Sequence, residues 1–129
     1  MSDQWTLSPT SLSTKRGYVS SAVTIDGELV VTGGVDGDYN YLNSVEMLRM
    51  NSSSSSTAIT TTSLPSLSTK RCFHCTVKIG NSIYCLGGDN GSGSFISVER
   101  LALLTSNNNN DKSSSSFSQG WEECPPMIE

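Results

Sequence analysis

Single-residue alternation marks the clearest element of the chain: Phe73, Cys75, Val77 and Ile79 are interleaved with His74, Thr76 and Lys78. This is the period of a half-buried β-strand whose apolar side carries Phe73, Cys75 and Val77. Val19, Val23 and Ile25 hold matching places about fifty residues earlier. Both segments, here termed A strands, run into dipeptides that accept the positive φ of a two-residue hairpin, Asp26-Gly27 and Gly80-Asn81. The apolar runs that follow, ELVVTGG and SIYCLGG, are then antiparallel B strands. Their terminal doublets, Gly33-Gly34 and Gly87-Gly88, mark a bend or a close backbone approach, because glycine weakens a strand interior. The segments SVEMLRM and SVERLALL supply C strands, and fourth strands are expected around Ala58 to Thr62 and Phe117 to Cys124.

The pattern is a repeat. The pentapeptide LSTKR occurs at Leu12–Arg16 and again at Leu67–Arg71, and the residues after each copy align through the glycine doublets if Gly17 is taken as an insertion. A period of roughly fifty to sixty residues belongs to propellers and arrays. Two polar tracts, 51–63 and 106–120, fall at the same place in each unit. Runs of Ser and Asn bury too little to offset their ordering entropy, so they read as expansions of one loop.

These features together resemble the kelch repeats, which build four-stranded blades of β-propellers. The resemblance rests on Gly33-Gly34 and Gly87-Gly88, on Tyr84, and on the SVE segments that carry Glu46 and Glu99. It extends to the W-x-x-x-P spacing at Trp5/Pro9 and Trp121/Pro125, and to Pro126-Met127. At the matching place before Pro65 the chain has Thr61 where a tryptophan is expected. The resemblance implies an all-β fold: two four-stranded antiparallel blades of an incomplete propeller, with a lone D-type strand at residues 1–11. Blade 1 would span 12–63 with a C–D loop at 51–57. Blade 2 would span 64–124 with a C–D loop at 106–118, and 125–129 would begin the next turn. Two blades do not close a ring of the usual about four to eight. The chain is therefore expected to be a fragment of a longer propeller, a subunit that self-associates to complete one, or an open pair.

Composition narrows the function. In 129 residues the net charge is −4, which argues against nucleic acid, and no run approaches the ~20 apolar residues of a membrane span. The first ten residues lack the basic and apolar regions of a secretion signal, so a cytoplasmic or nuclear location is expected. The four cysteines then read as reduced thiols.

In a propeller blade the D–A and B–C connections share one end. Lys15, Arg16, Lys70 and Arg71 would gather there with Asp36, Asp38, Tyr39, Tyr41, Asp89 and Phe95, a face suited to an acidic or polar segment of a protein partner. The alternative for the arginines is structural: Arg16 and Glu46 hold the same relative places as Arg71 and Glu99, so each arginine can pair within its own blade. Trp5 and Trp121 read as packing anchors between blades. Chemistry is sparse. Cys72-Phe-His-Cys75 has the spacing of a zinc half-site, but on a strand Cys72 and His74 face away from Cys75. Asp36-x-Asp38 lacks the further acidic positions of a calcium loop. No catalytic residue, cofactor or metal is expected, and the chain reads as a non-catalytic interaction module or adaptor. The alternative is a scaffold piece of a kelch-propeller enzyme, of the oxidase or mutarotase type, whose site lies in other blades.

Overall fold

A computed structural model describes residues 4, 5, 7, 8, 10–19, 22–25, 27–53, 56–104 and 116–128. Its elements are all strands: β1 (Ala22–Ile25), β2 (Glu28–Thr32), β3 (Val45–Ser53), β4 (Ser56–Leu64), β5 (Cys75–Ile79), β6 (Ser82–Leu86), β7 (Val98–Leu104), β8 (Ser116–Phe117) and β9 (Glu122–Cys124). The first four form one antiparallel meander in the order β1-β2-β3-β4. The second sheet runs β5-β6-β7-β8, with β9 also pairing β7. The two-blade architecture and the A–B–C–D order follow the sequence pattern. Among the described residues no helix is long and apolar enough to cross a membrane.

Four details differ from expectation. The Ser-rich segment 51–57 is mostly strand, because β3 and β4 stay in register down to Asn51↔Ala58, Ser52↔Thr57 and Ser53↔Ser56. Hydrogen bonding along the ribbon continues regardless of side-chain identity, which a burial pattern does not signal. The last strand of blade 2 is broken: Ser118 and Gly120 interrupt it, and the Ser118 amide donates to Ala102 O at 2.8 Å. Of the expected C–D loop at 106–118, residues 106–115 lie outside the described residues and Ser116–Phe117 are strand. No described residue of 1–11 is in a strand, and Trp5 is fully exposed, so Trp5 is not a packing anchor. A D-type strand needs a C strand beside it, and no described strand lies there.

Strand β5 is the fourth difference, in the side that it buries. Phe73, Cys75 and Ile79 are exposed, whereas His74 and Thr76 are buried. The alternation is real but the polar side faces inward, because β5 lies beside β1 and blade 2 turns this side toward blade 1. The core between the blades joins Val23, Val30, Val45 and Met47 of blade 1 to Ile83 and Cys85 of blade 2 through Leu67 of the connecting segment. Leu103, Phe117 and Trp121 pack against it. A polar node completes the joint: Thr32 Oγ1 lies 2.6 Å from His74 Nε2 and 2.8 Å from Thr76 Oγ1, and Thr76 Oγ1 lies 3.2 Å from Cys85 Sγ.

The glycine doublets sit where backbones nearly touch. A Cβ on Gly88, at φ +92°, would lie 2.6 Å from Cys72 O and 2.8 Å from His74 Cβ. Gly88→Ala should therefore cost about 2 kcal/mol or more, from a left-handed backbone and a clash with main chain. Gly37→Ala, where nothing lies within 4 Å, should be within about 0.5 kcal/mol of neutral, and urea titration of both variants reads the difference.

Candidate functional site

The D–A turns and B–C loops meet at one end of the blades, as expected from strand order. Gly17 bridges Val35, which bridges Tyr41, and Cys72 bridges Asp89, which bridges Ser94. The Gly17 amide donates to Val35 O at 2.7 Å and the Cys72 amide to Asp89 O at 2.9 Å. Gly17 is thus the counterpart of Cys72, not an insertion. The extra residue of the first copy falls between Tyr18 and Ala22, which makes Tyr18 the counterpart of Phe73.

The arginines take the structural role. Arg16 donates to Gly33 O (2.7 Å), Ser44 O (3.2 Å), Ser44 Oγ (3.1 Å) and Glu46 Oε2 (2.5 Å). Arg71 repeats the set on Gly87 O (2.5 Å), Ser97 O (3.4 Å), Ser97 Oγ (3.0 Å) and Glu99 Oε2 (2.7 Å). The glutamates are held from the other side: Ser13 N donates to Glu46 Oε1 at 2.7 Å and Ser68 N to Glu99 Oε1 at 2.6 Å. Both arginine side chains have no solvent exposure. Arg16 and Arg71 are therefore removed from the face expected to meet a partner: each clamps its turn to the C strand and the glycine corner. Burial pushes the Glu46 carboxyl up, but the bonds from Ser13 and Arg16 outweigh it and hold the group below its ordinary value.

Four more expected face residues turn out to build the loops. Phe95 is half-buried with the Arg71 guanidinium 5.3 Å from its ring centroid. Tyr41 is half-buried, with its ring and hydroxyl packed on Gly91 of the neighbouring B–C loop. Asp89 Oδ1 accepts from Gly91 N at 2.5 Å. Asp36 is a turn residue whose Oδ1 accepts from Asp38 N and Asn40 N, both at 2.9 Å. Bonds from Asn40, chiefly its side chain, lower the Asp36 pKa, with a further contribution from Lys70 across the blades.

Of the expected residues Lys15, Lys70, Asp38 and Tyr39 remain open to solvent, together with a pair that sequence reasoning missed. The rings of Tyr18 and Phe73 meet in a tilted contact, centroids 5.0 Å and planes 54° apart, yet they are 58% and 65% exposed. Both residues hold left-handed backbones, φ 48° and 54°, as does Tyr39 at φ 63°. The signal lay in the repeat itself: each aromatic stands two residues after the arginine of LSTKR.

All four cysteines are free; burial, then Asp89, raises the Cys72 thiol, and burial pushes Cys85 up to about 11. Cys72 and His74 are buried while Cys75 is exposed, so CFHC does not converge on one point. Among the described residues no group of three or more His, Cys, Asp or Glu is placed to hold a metal. Trp121 donates its indole N–H to Pro65 O at 2.7 Å, and Tyr84 lies half-buried on the outer face of blade 2.

Stacked four-stranded meanders with glycine corners and a buried Arg–Glu clamp in each define a propeller-type repeat protein. The kelch motif matches at residues 20–54 and 70–106, together more than half of the chain, and the chain belongs to the kelch-motif family. No curated protein is significantly similar to it.

Proposed function

We propose that this chain is a non-catalytic protein-interaction module, an adaptor that binds a partner peptide on the loop face. The observation that carries the reading is the Tyr18–Phe73 pair. Two rings from equivalent turns lie in tilted contact, open to solvent, on backbones that cost roughly 1–2 kcal/mol each. Strained, exposed aromatics concentrate at binding sites, since a partner recovers the apolar area that water now covers. Lys15 and Lys70, exposed near the pair in sequence, favour an acidic or polar segment with an apolar anchor.

The test is selection of binders from a random peptide library on the purified chain, followed by affinity measurement on variants. Tyr18→Ala and Phe73→Ala together should weaken the selected peptides by tenfold or more, as removal of a hot spot does. Lys15→Ala with Lys70→Ala should mainly reduce the salt dependence. Peptides that bind the aromatic double variant with unchanged affinity would remove the loop face from consideration.

A further inference from the structure

Blade 1 carries an apolar cleft of about 250 Å³ on its side away from blade 2, lined by Gly27, Leu29, Leu48, Met50 and Ile59. Each of the four larger residues has a counterpart in blade 2. Leu29 pairs with Leu48 as Ile83 pairs with Leu101, and Met50 pairs with Ile59 as Leu103 pairs with Phe117. In blade 2 this surface is the inner joint: Ile83 and Leu101 are wholly buried, with Leu103 and Phe117 packed on the shared core. In blade 1 the same surface is open, with Leu29 38% and Met50 61% exposed. Thr61 contributes to the opening. It is in register with Leu48, and its hydroxyl donates to Ser11 O at 3.2 Å, where Trp121 of blade 2 reaches Pro65 O.

The blade 1–blade 2 joint shows what such a surface takes. It is covered by Val23, Val30, Val45 and Met47, from the opposite side of a preceding blade. The counterparts of these residues on the outer side of blade 2 are Val77, Tyr84, Val98 and Arg100. That side is also apolar and partly open, with Ile79 and Leu104 exposed beside half-buried Leu86. Arg100 departs from Met47, and its ion pair with Glu122 puts a polar group at that corner. The two ends of the pair thus carry the two halves of one joint.

We infer that the Leu29/Leu48/Met50/Ile59 cleft is the docking site for the outer face of blade 2 from a second copy of this chain. The contact is heterologous, head to tail, and repeats the joint already inside each chain. Rings of about four to eight blades correspond to roughly two to four copies. This surface is separate from the loop face and does not depend on what that face binds.

The experiment is solution mass by light scattering across concentration, with circular dichroism on the same samples, for the wild-type chain, Leu48→Asp in the cleft and Val77→Asp on the opposite face. Met50→Lys, at the more exposed cleft position, replaces Leu48→Asp if that variant loses its β signal. The expected result is a discrete multiple of the chain mass for the wild type and monomers for each variant. An equal mixture of the cleft and face variants should give a one-to-one complex, since each supplies the half the other lacks. A folded wild-type monomer at every concentration overturns the inference. So do assemblies unchanged in both variants, or variants whose mixture stays monomeric.

Discussion

Arg71→Ala is expected to destabilise the chain by about 3–5 kcal/mol, while Lys70→Ala, one residue away, should stay within about 0.5 kcal/mol of the parent. The difference lies in what each side chain leaves behind. Arg71 is without solvent exposure and bonds Gly87 O, Ser97 and Glu99 from one guanidinium. Its removal leaves the Glu99 carboxylate, itself almost fully buried, with Ser68 as the donor that remains. Lys70 ends in solvent. Arg71→Lys should recover only part of the loss, since an ammonium cannot span a carboxylate, a hydroxyl and a carbonyl as the planar fork does. Replacing both charges, Arg71→Met with Glu99→Leu, should lose less than Arg71→Ala alone, because no unpaired charge is buried. It does not restore the parent, since Ser68 N and Oγ both lose their acceptor. Urea unfolding followed by circular dichroism reads all four. Equal, small losses for Arg71→Ala and Lys70→Ala would return the arginine to the proposed binding face.

The arginine clamp was legible as one of two readings because its parts are local to a repeat and occur twice. Strand order and the A–B hairpins were legible for a similar reason: Gly27 and Gly80 adopt the positive φ that their turn dipeptides announce. Which side of β5 is buried was not legible. In stacked blades both sides of a sheet are covered, so apolar residues stand on either side and alternation alone cannot choose between them. The choice came from a non-local contact, Thr32 against His74 and Thr76. The Tyr18–Phe73 pair was hidden by the same kind of error, since assigning the extra residue to Gly17 set Val19, not Tyr18, against Phe73. The serine tract 51–57 failed differently: its pairing is carried by backbone, and composition is silent on that.

The chain's single histidine supplies the second large effect, through pH. His74 sits in the joint between the blades, 2% exposed, with Thr32 on Nε2 and no partner for Nδ1 among the described residues. Burial first, and then the Arg71 guanidinium, lower its pKa to about 4, against a smaller opposing pull from Glu99. The folded state therefore holds a neutral imidazole where the unfolded chain, with an ordinary value near 6.5, binds a proton. The unfolded state binds more protons between these values, so stability is complete above about pH 6.5 and falls as pH drops toward 4. The slope approaches about 1.4 kcal/mol per pH unit, and the total is on the order of 3 kcal/mol. The lowered Glu46 carboxyl acts in the same direction but only below its ordinary 4.5, so the interval from about 6.5 to 4.5 belongs to His74 among the shifted groups. Urea unfolding at half-unit steps should show this slope in the parent. His74→Gln should be flat over the same interval, whatever its absolute stability. An unchanged slope in that variant would show that the imidazole meets water in the folded chain. The joint between the blades would then be open and not the sealed contact that Thr32, His74 and Thr76 describe.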